Sequence, residues 1–168
     1  GYRAAMAERG LEVDDTMVFR PAGWKLDEEE LLNLMRVLRS EDRPTAVFAG
    51  GFSLALGVYG AARRVGLRIP EDLSIVGVDD AKAAAHLTPA LTAIRQPLMD
   101  MGVMASRSLF DLVKLPNRTV GRTMLRATLV TRASTSRPGE PAELEPSHGQ
   151  GESSDAIEPS FDQDVHLK

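Results

Sequence analysis

Two adjacent carboxylates are the residues of this chain whose positions best suit chemistry. Asp79 and Asp80 directly follow residues 73–78, an apolar stretch typical of a buried strand. In an open parallel sheet, ligands bind beyond the carboxyl ends of the strands, where a carboxylate can accept hydrogen bonds from ligand hydroxyl groups. We therefore predict that Asp79 contacts a ligand. For Asp80, a ligand contact and a cap on a short helix beginning near Ala81 remain equally good interpretations.

The turn Gly50-Gly51-Phe52 follows the neighbouring apolar strand, residues 45–49. Because the carboxyl ends of parallel strands share one edge of a sheet, this turn should line the same crevice as Asp79. It lacks the three-glycine spacing of a dinucleotide site and the lysine of a P-loop, so a nucleotide-dependent enzyme has little support. A tight turn is the simpler explanation of the two glycines.

Trp24 is the only tryptophan, and it lies in a loop before a predicted helix. A loop tryptophan can stack on the apolar face of a sugar or a base, or it can fill the base of a core. Both interpretations stay open, and the loop position slightly favours the ligand.

Other residue types exclude several function classes. Nothing near the two carboxylates in sequence supplies a nucleophile or a partner base, so no enzyme activity is predicted. Cysteine is absent and the three histidines are scattered, so we predict neither a metal site nor a cofactor. No run reaches the roughly 18 apolar residues of a membrane span, and the first residues lack the plan of a signal peptide. We expect a cytoplasmic protein without a membrane partner.

Strand and helix patterns alternate along residues 1–137, which predicts an α/β domain with a parallel sheet. Asp27 and Glu30 have the spacing of a capping box. Residues 138–168 carry a net charge of −7 and little apolar surface, which predicts a disordered acidic tail. The remaining +3 is too small to indicate nucleic-acid binding by this segment. Strands are predicted at 16–19, 45–49, 73–78, 91–94 and 124–131, and helices at 1–9, 27–38, 53–65 and 97–113.

Three stretches resemble the carboxyl-terminal half of the effector domains of LacI/GalR transcription regulators. They are RPTAVFAGGFSLALGVYGAARRVGLRIPEDLSIVGVDD, LTPALTAIRQPLMDMG and ATLVTRASTSRP, and the resemblance covers about residues 1–138. It implies an incomplete parallel-sheet subdomain of the periplasmic-binding-protein-like (type I) fold. In this family two such subdomains close on a small effector, commonly a sugar or a nucleobase. Closure changes operator affinity through a homodimer.

The resemblance also assigns roles to single residues. It implies that Asp79 bonds effector hydroxyl groups, that Trp24 flanks the effector, and that Gln96 lies at the pivot near the cleft. Where the family usually has Asn-Asp, this chain has Gly51-Phe52. That change removes two polar contacts and adds an aromatic surface, which favours an apolar, aromatic or atypical ligand over a hexose bound in the usual way.

The same resemblance concerns partners. Leu56 and Leu87 match positions of the subunit interface, although both could be ordinary core leucines. The chain looks incomplete, with a helix-turn-helix and a first subdomain expected before Gly1, so operator DNA would be reached only through that part. Residues 97–120 would pack on the absent subdomain, leaving their helix to dock elsewhere or to expose its apolar stripe and associate with another chain. A solute-binding protein for import and an inactive remnant remain the alternatives.

Overall fold

A computed structural model describes residues 1–115 and 121–137 of the chain, and the predicted acidic tail lies outside these residues. Two 3₁₀ helices, Asp15–Met17 and Lys82–His86, lie among the connecting segments. The α-helices are α1 (Tyr2–Glu8), α2 (Glu28–Leu38), α3 (Phe52–Val65) and α4 (Leu98–Lys114); the strands are β1 (Ala46–Ala49), β2 (Ser74–Val78), β3 (Thr92–Arg95) and β4 (Thr128–Val130).

The four strands form one sheet in the order β1-β2-β3-β4. β1, β2 and β3 are parallel, with Ala49 opposite Gly77 and Val78 opposite Ile94. β4 runs antiparallel to β3 at the edge. The predicted α/β fold with a parallel sheet is confirmed. The carboxyl ends of its three parallel strands lie on the same side of the sheet, where the following loops meet.

The core lies between the sheet and the helices α2 and α3. Four small or medium side chains of α3 are buried on one face, which lets the helix lie close to the strands. On β2, Ile75 is fully buried, and Gly77 is so closely packed that a Cβ there would lie 3.0 Å from Leu91 Cδ2. The buried residues of α3 are Ala55, Val58, Ala61 and Ala62.

The predicted capping box at the start of α2 is confirmed. The Asp27 carboxylate accepts a hydrogen bond from the Glu30 backbone N–H at 2.8 Å, and the Glu30 carboxylate accepts one from the Asp27 N–H at 2.9 Å. These reciprocal bonds satisfy two backbone donors that a helix start leaves open. They fix the direction in which the chain passes from the Trp24 loop into α2.

The predicted strand at residues 16–19 is wrong. Residues Asp15–Met17 form a 3₁₀ helix instead. The Asp14 carboxylate accepts hydrogen bonds from the Thr16 N–H at 2.8 Å and from the Thr16 hydroxyl at 2.7 Å. Such local side-chain bonds offer the backbone an alternative to a sheet ladder. The predicted last strand is also shorter than expected, since only Thr128–Val130 pairs with β3.

The helix α4 buries none of its residues. Its exposed large side chains include Met99, Leu109 and Phe110. Of the two outcomes predicted for this helix, docking elsewhere or exposing its stripe, the structure has the second. Within residues 1–115 and 121–137, no helix combines the length and the hydrophobicity that crossing a bilayer requires.

Candidate functional site

The turn after β2 presents Asp79 in an unusual backbone conformation. Its φ of 69° is left-handed, a region that aspartate tolerates better than most residues. The Asp79 N–H donates to the Ile94 carbonyl at 3.1 Å, which holds the turn against β3. The Asp79 Oδ1 accepts a hydrogen bond from Gln96 Nε2 at 2.6 Å. The structure thus brings together two predicted site residues that are 17 positions apart.

The second carboxylate oxygen of Asp79 differs from the first. Oδ2 accepts no hydrogen bond from any residue that the structure describes, and the side chain is only partly buried. An ionised carboxylate has about four acceptor positions. Asp79 therefore retains acceptor capacity for a ligand while Gln96 fixes its orientation.

Gly50 and Gly51 leave the same edge of the sheet as Asp79, because Ala49 lies opposite Gly77. Gly51 has extended backbone angles, φ −172° and ψ 160°, and neither glycine has a positive φ. Both glycines lie in the bend between β1 and α3, but neither adopts a backbone conformation that only glycine tolerates. A Cβ at either glycine would meet nothing within 4 Å, so the two glycines leave open space at the end of β1.

The two predicted aromatic site residues differ in exposure. Phe52 begins α3 and is partly buried against the core, so only part of its ring can face a ligand. The Trp24 side chain is 89% exposed, which rules out the core-filling interpretation. Trp24 lies in the loop before α2 and is not among the residues bonded to Asp79. Among the predicted site residues that the structure describes, Asp79 and Gln96 are thus the pair joined by a side-chain hydrogen bond.

Asp80 does not cap a helix, so that interpretation is wrong. The 3₁₀ helix Lys82–His86 has Ala81 at its N-cap and no side-chain cap. The Asp80 side chain is instead 3% exposed and paired with two arginines. Its Oδ2 accepts from Arg95 Nε at 2.8 Å, and its Oδ1 lies 2.7 Å from Arg132 Nη2.

The charge of Asp80 follows from these partners. Burial raises the pKa of its carboxyl group, but the hydrogen bonds from Arg95, the ion pair with Arg132 and the charges of both arginines lower it more. The pKa of Asp80 therefore lies below its ordinary value of 3.8. Neither arginine is among the site residues predicted from the sequence. Only Arg95 carried a signal, because it immediately precedes Gln96 at the end of β3.

A comparison with protein families matches residues 1–135 to the periplasmic binding protein-like domain. The chain belongs to this family. The ribose operon repressor of Haemophilus influenzae is 36% identical over 135 residues, which cover 80% of this chain and 40% of that repressor. The HTH-type transcriptional repressor PurR of Serratia proteamaculans is 39% identical over 118 residues, covering 67% of this chain and 33% of the repressor.

A solved structure shows the same likeness. The LacI family transcriptional regulator from Enterococcus faecium with bound ribose has a TM-score of 0.56 and 30% identity, covering 67% of this chain and 40% of that chain. The resemblance to LacI/GalR regulators is confirmed. The chain spans less than half the length of the curated relatives that it matches.

Within this periplasmic-binding-protein-like domain, the two candidate interface leucines lie in different surroundings. Leu56, on α3, is 41% exposed, so it is not an ordinary core leucine. Leu87 follows the 3₁₀ helix Lys82–His86 and is partly buried against the core. Leu56 is therefore available to a partner, whereas Leu87 already contributes to the packing of its own chain.

The domain also contains an apolar cavity of about 360 Å³ beside β1. Met17, Phe19, Phe48 and Gly50 are among its lining residues, and within residues 1–115 and 121–137 no charged side chain lines it. A polar ligand would lose its hydration there without gaining a charged partner. The edge that carries Asp79 and Gln96 is therefore the better candidate for a polar ligand.

Proposed function

We propose that the chain is the effector-binding part of a cytoplasmic LacI-type transcription repressor, and that it has no enzymatic activity. The observation that carries the proposal is the state of Asp79, with one oxygen held by Gln96 and the other free of protein partners among the described residues. Such a carboxylate suits a neutral ligand that offers hydroxyl groups. The repressor part of the proposal is supported by relatives that are named as repressors.

The proposed effector is a sugar or a nucleobase-like compound, and the free acceptor capacity of Asp79 favours a sugar. A carboxylate favours hydroxyl donors, and the open space beside Gly50 and Gly51 leaves room for a ring. Trp24 is exposed enough to stack on the apolar face of that ring. The names of the ribose operon repressor and of the ribose-bound Enterococcus regulator make D-ribose the first compound to test.

The proposed mechanism is a shift between open and closed states. A ligand that binds the closed state more tightly raises its population, and this bias passes through a homodimer to DNA-binding segments. The exposed Leu56 supports a subunit contact. Leu87 would add only the part of its side chain that its own core leaves exposed. Residues 97–120 would pack against a second subdomain, which fits the absence of buried residues in α4.

Titration calorimetry with D-ribose tests the site, with adenine and guanine as alternative ligands. Asp79→Asn removes the negative charge at nearly constant size. A hydrogen bond to a charged group contributes about 1.5–3 kcal/mol, so the affinity of the best ligand should fall by about tenfold or more. Asp15→Asn is the control, because Asp15 pairs with Arg3 at an exposed position. Unchanged affinity in Asp79→Asn would contradict the proposed contact.

The DNA sequence upstream of the codon for residue 1 tests the role of the whole protein. A helix-turn-helix encoded there is the expected result, because relatives matched over one part of their length are repressors. A secretory signal peptide at that position would instead indicate a solute-binding protein for import and would overturn the repressor proposal.

A further inference from the structure

Asp80 joins the turn after β2 to two other parts of the sheet. Its Oδ2 accepts from Arg95, the last residue of β3. Its Oδ1 contacts Arg132, two positions beyond β4. Arg132 in turn donates from Nη1 to the Leu91 carbonyl at 2.6 Å, just before β3. One buried carboxylate thereby connects three segments that are far apart in sequence.

This cluster lies beside the turn that carries Asp79. Asp79 precedes Asp80 in the chain, and Arg95 precedes Gln96, so each partner in the Asp79–Gln96 hydrogen bond is covalently next to a member of the cluster. The left-handed φ of Asp79 is a conformation that surrounding contacts must maintain. The pairing of Asp80 with Arg95 and Arg132 supplies such contacts.

Net stability alone does not account for the cluster. The Arg95 side chain is 59% exposed, so solvent screens its charge and its ion pair with Asp80 contributes little to net stability. The geometry of several charged hydrogen bonds, by contrast, restricts where the bonded groups can lie. A cluster of this kind is better suited to fixing positions than to raising stability.

We propose that Asp80, Arg95 and Arg132 are positioning residues, which hold Asp79 and Gln96 in the geometry that receives the effector. This inference rests on the proposed function for the role of Asp79, but the positioning itself is a property of the unliganded chain. None of the three contacts the effector in this proposal. Their effect passes through the backbone of the Asp79 turn and through the end of β3.

Amide hydrogen exchange in the unliganded chain, followed by NMR, tests the positioning. Asp80→Asn keeps the size of the side chain and removes its charge. We expect exchange of the Asp79 N–H to accelerate about tenfold or more beyond any change at Ala62, which reports on the buried face of α3. A role confined to overall stability would accelerate both amides by the same factor.

Asp72→Asn is the matched control. The Asp72 side chain is also nearly buried and accepts two hydrogen bonds from the Arg68 guanidinium, at 2.8 and 3.0 Å. It precedes β2 rather than following it, so its loss should affect Asp79 and Ala62 equally. If Asp80→Asn does not fold, Arg95→Met removes one partner and should give the same local effect.

Three results would overturn the inference. The first is equal acceleration of the Asp79 and Ala62 amides in Asp80→Asn or in Arg95→Met. The second is an effect of Asp72→Asn on the Asp79 amide as large as that of Asp80→Asn. The third is rapid exchange of the Asp79 N–H in the unsubstituted chain. Because no ligand is present, the outcome stays separate from calorimetry with D-ribose. A failure of the proposed function would appear in the experiments with D-ribose and not in hydrogen exchange of the unliganded chain.

Discussion

At the scale of single residues, Asp72 and Asp80 share an environment. Each carboxylate is nearly buried and is paired with arginine. The hydrogen bond from Arg68 lowers the pKa of Asp72 and outweighs the effect of burial. The pKa of Asp80 is raised by burial but lowered more by Arg95 and Arg132. Both groups therefore hold their protons less tightly in the folded chain than the ordinary value of 3.8 implies.

These lowered pKa values predict a loss of stability in acid. The unfolded chain takes up protons at Asp72 and Asp80 near the ordinary pKa, whereas the folded chain takes them up only at lower pH. The stabilisation is therefore complete above about pH 5 and is lost as the pH falls through the folded-state pKa values. Urea unfolding at pH 6 and pH 3 should show a smaller loss for Asp80→Asn than for the unsubstituted chain. If both chains lose the same free energy of unfolding between pH 6 and pH 3, the pKa of Asp80 is not lowered by folding.

Single residues differ in how much of their role the sequence alone predicts. Asp79 and Gln96 were predicted as site residues, and the structure joins them by a hydrogen bond. The role of Asp80 could not be derived, because its partners lie 15 and 52 positions away. The local rule for helix caps made Asp80 the cap of a helix beginning near Ala81, whereas the tertiary structure pairs it with two arginines.

At the scale of elements, the capping box of α2 gives a direct prediction. Asp27→Ala removes the acceptor for the Glu30 N–H and should lower the free energy of unfolding by about 1 kcal/mol. Glu29→Ala is the control, since Glu29 lies in the same first turn outside the capping box. Chemical denaturation of both variants measures the difference. If Glu29→Ala lowers the free energy of unfolding as much as Asp27→Ala does, the loss would come from the helix dipole and not from the capping box.

Elements were predicted best where their pattern was long or strongly apolar. The strands β1 and β2 and the helices α2 and α3 lie close to their predicted bounds, because apolar periodicity and end signals agree there. The strand expected at 16–19 failed because Asp14 bonds locally to Thr16. Whether a short apolar run pairs with a sheet depends on such competition, which periodicity does not report.

At the scale of the whole molecule, the exposed stripe of α4 predicts self-association of the chain. Clustered apolar side chains in water favour contact with another chain. Phe110→Glu should lower the associated fraction in sedimentation velocity and reduce binding of a hydrophobic dye, with little change in folding stability, because Phe110 is exposed. Leu32→Glu is a matched control at an exposed leucine of α2. A monodisperse monomer that binds no dye would contradict the prediction.

In the proposed function, the loops after β1, β2 and β3 form one ligand site. NMR chemical-shift mapping during titration with D-ribose tests it most directly. The largest shifts should fall at Gly51, Asp79 and Gln96, and Asp79→Asn should suppress them. Shifts centred on the apolar cavity lined by Met17 and Phe19, with none at Asp79, would contradict it.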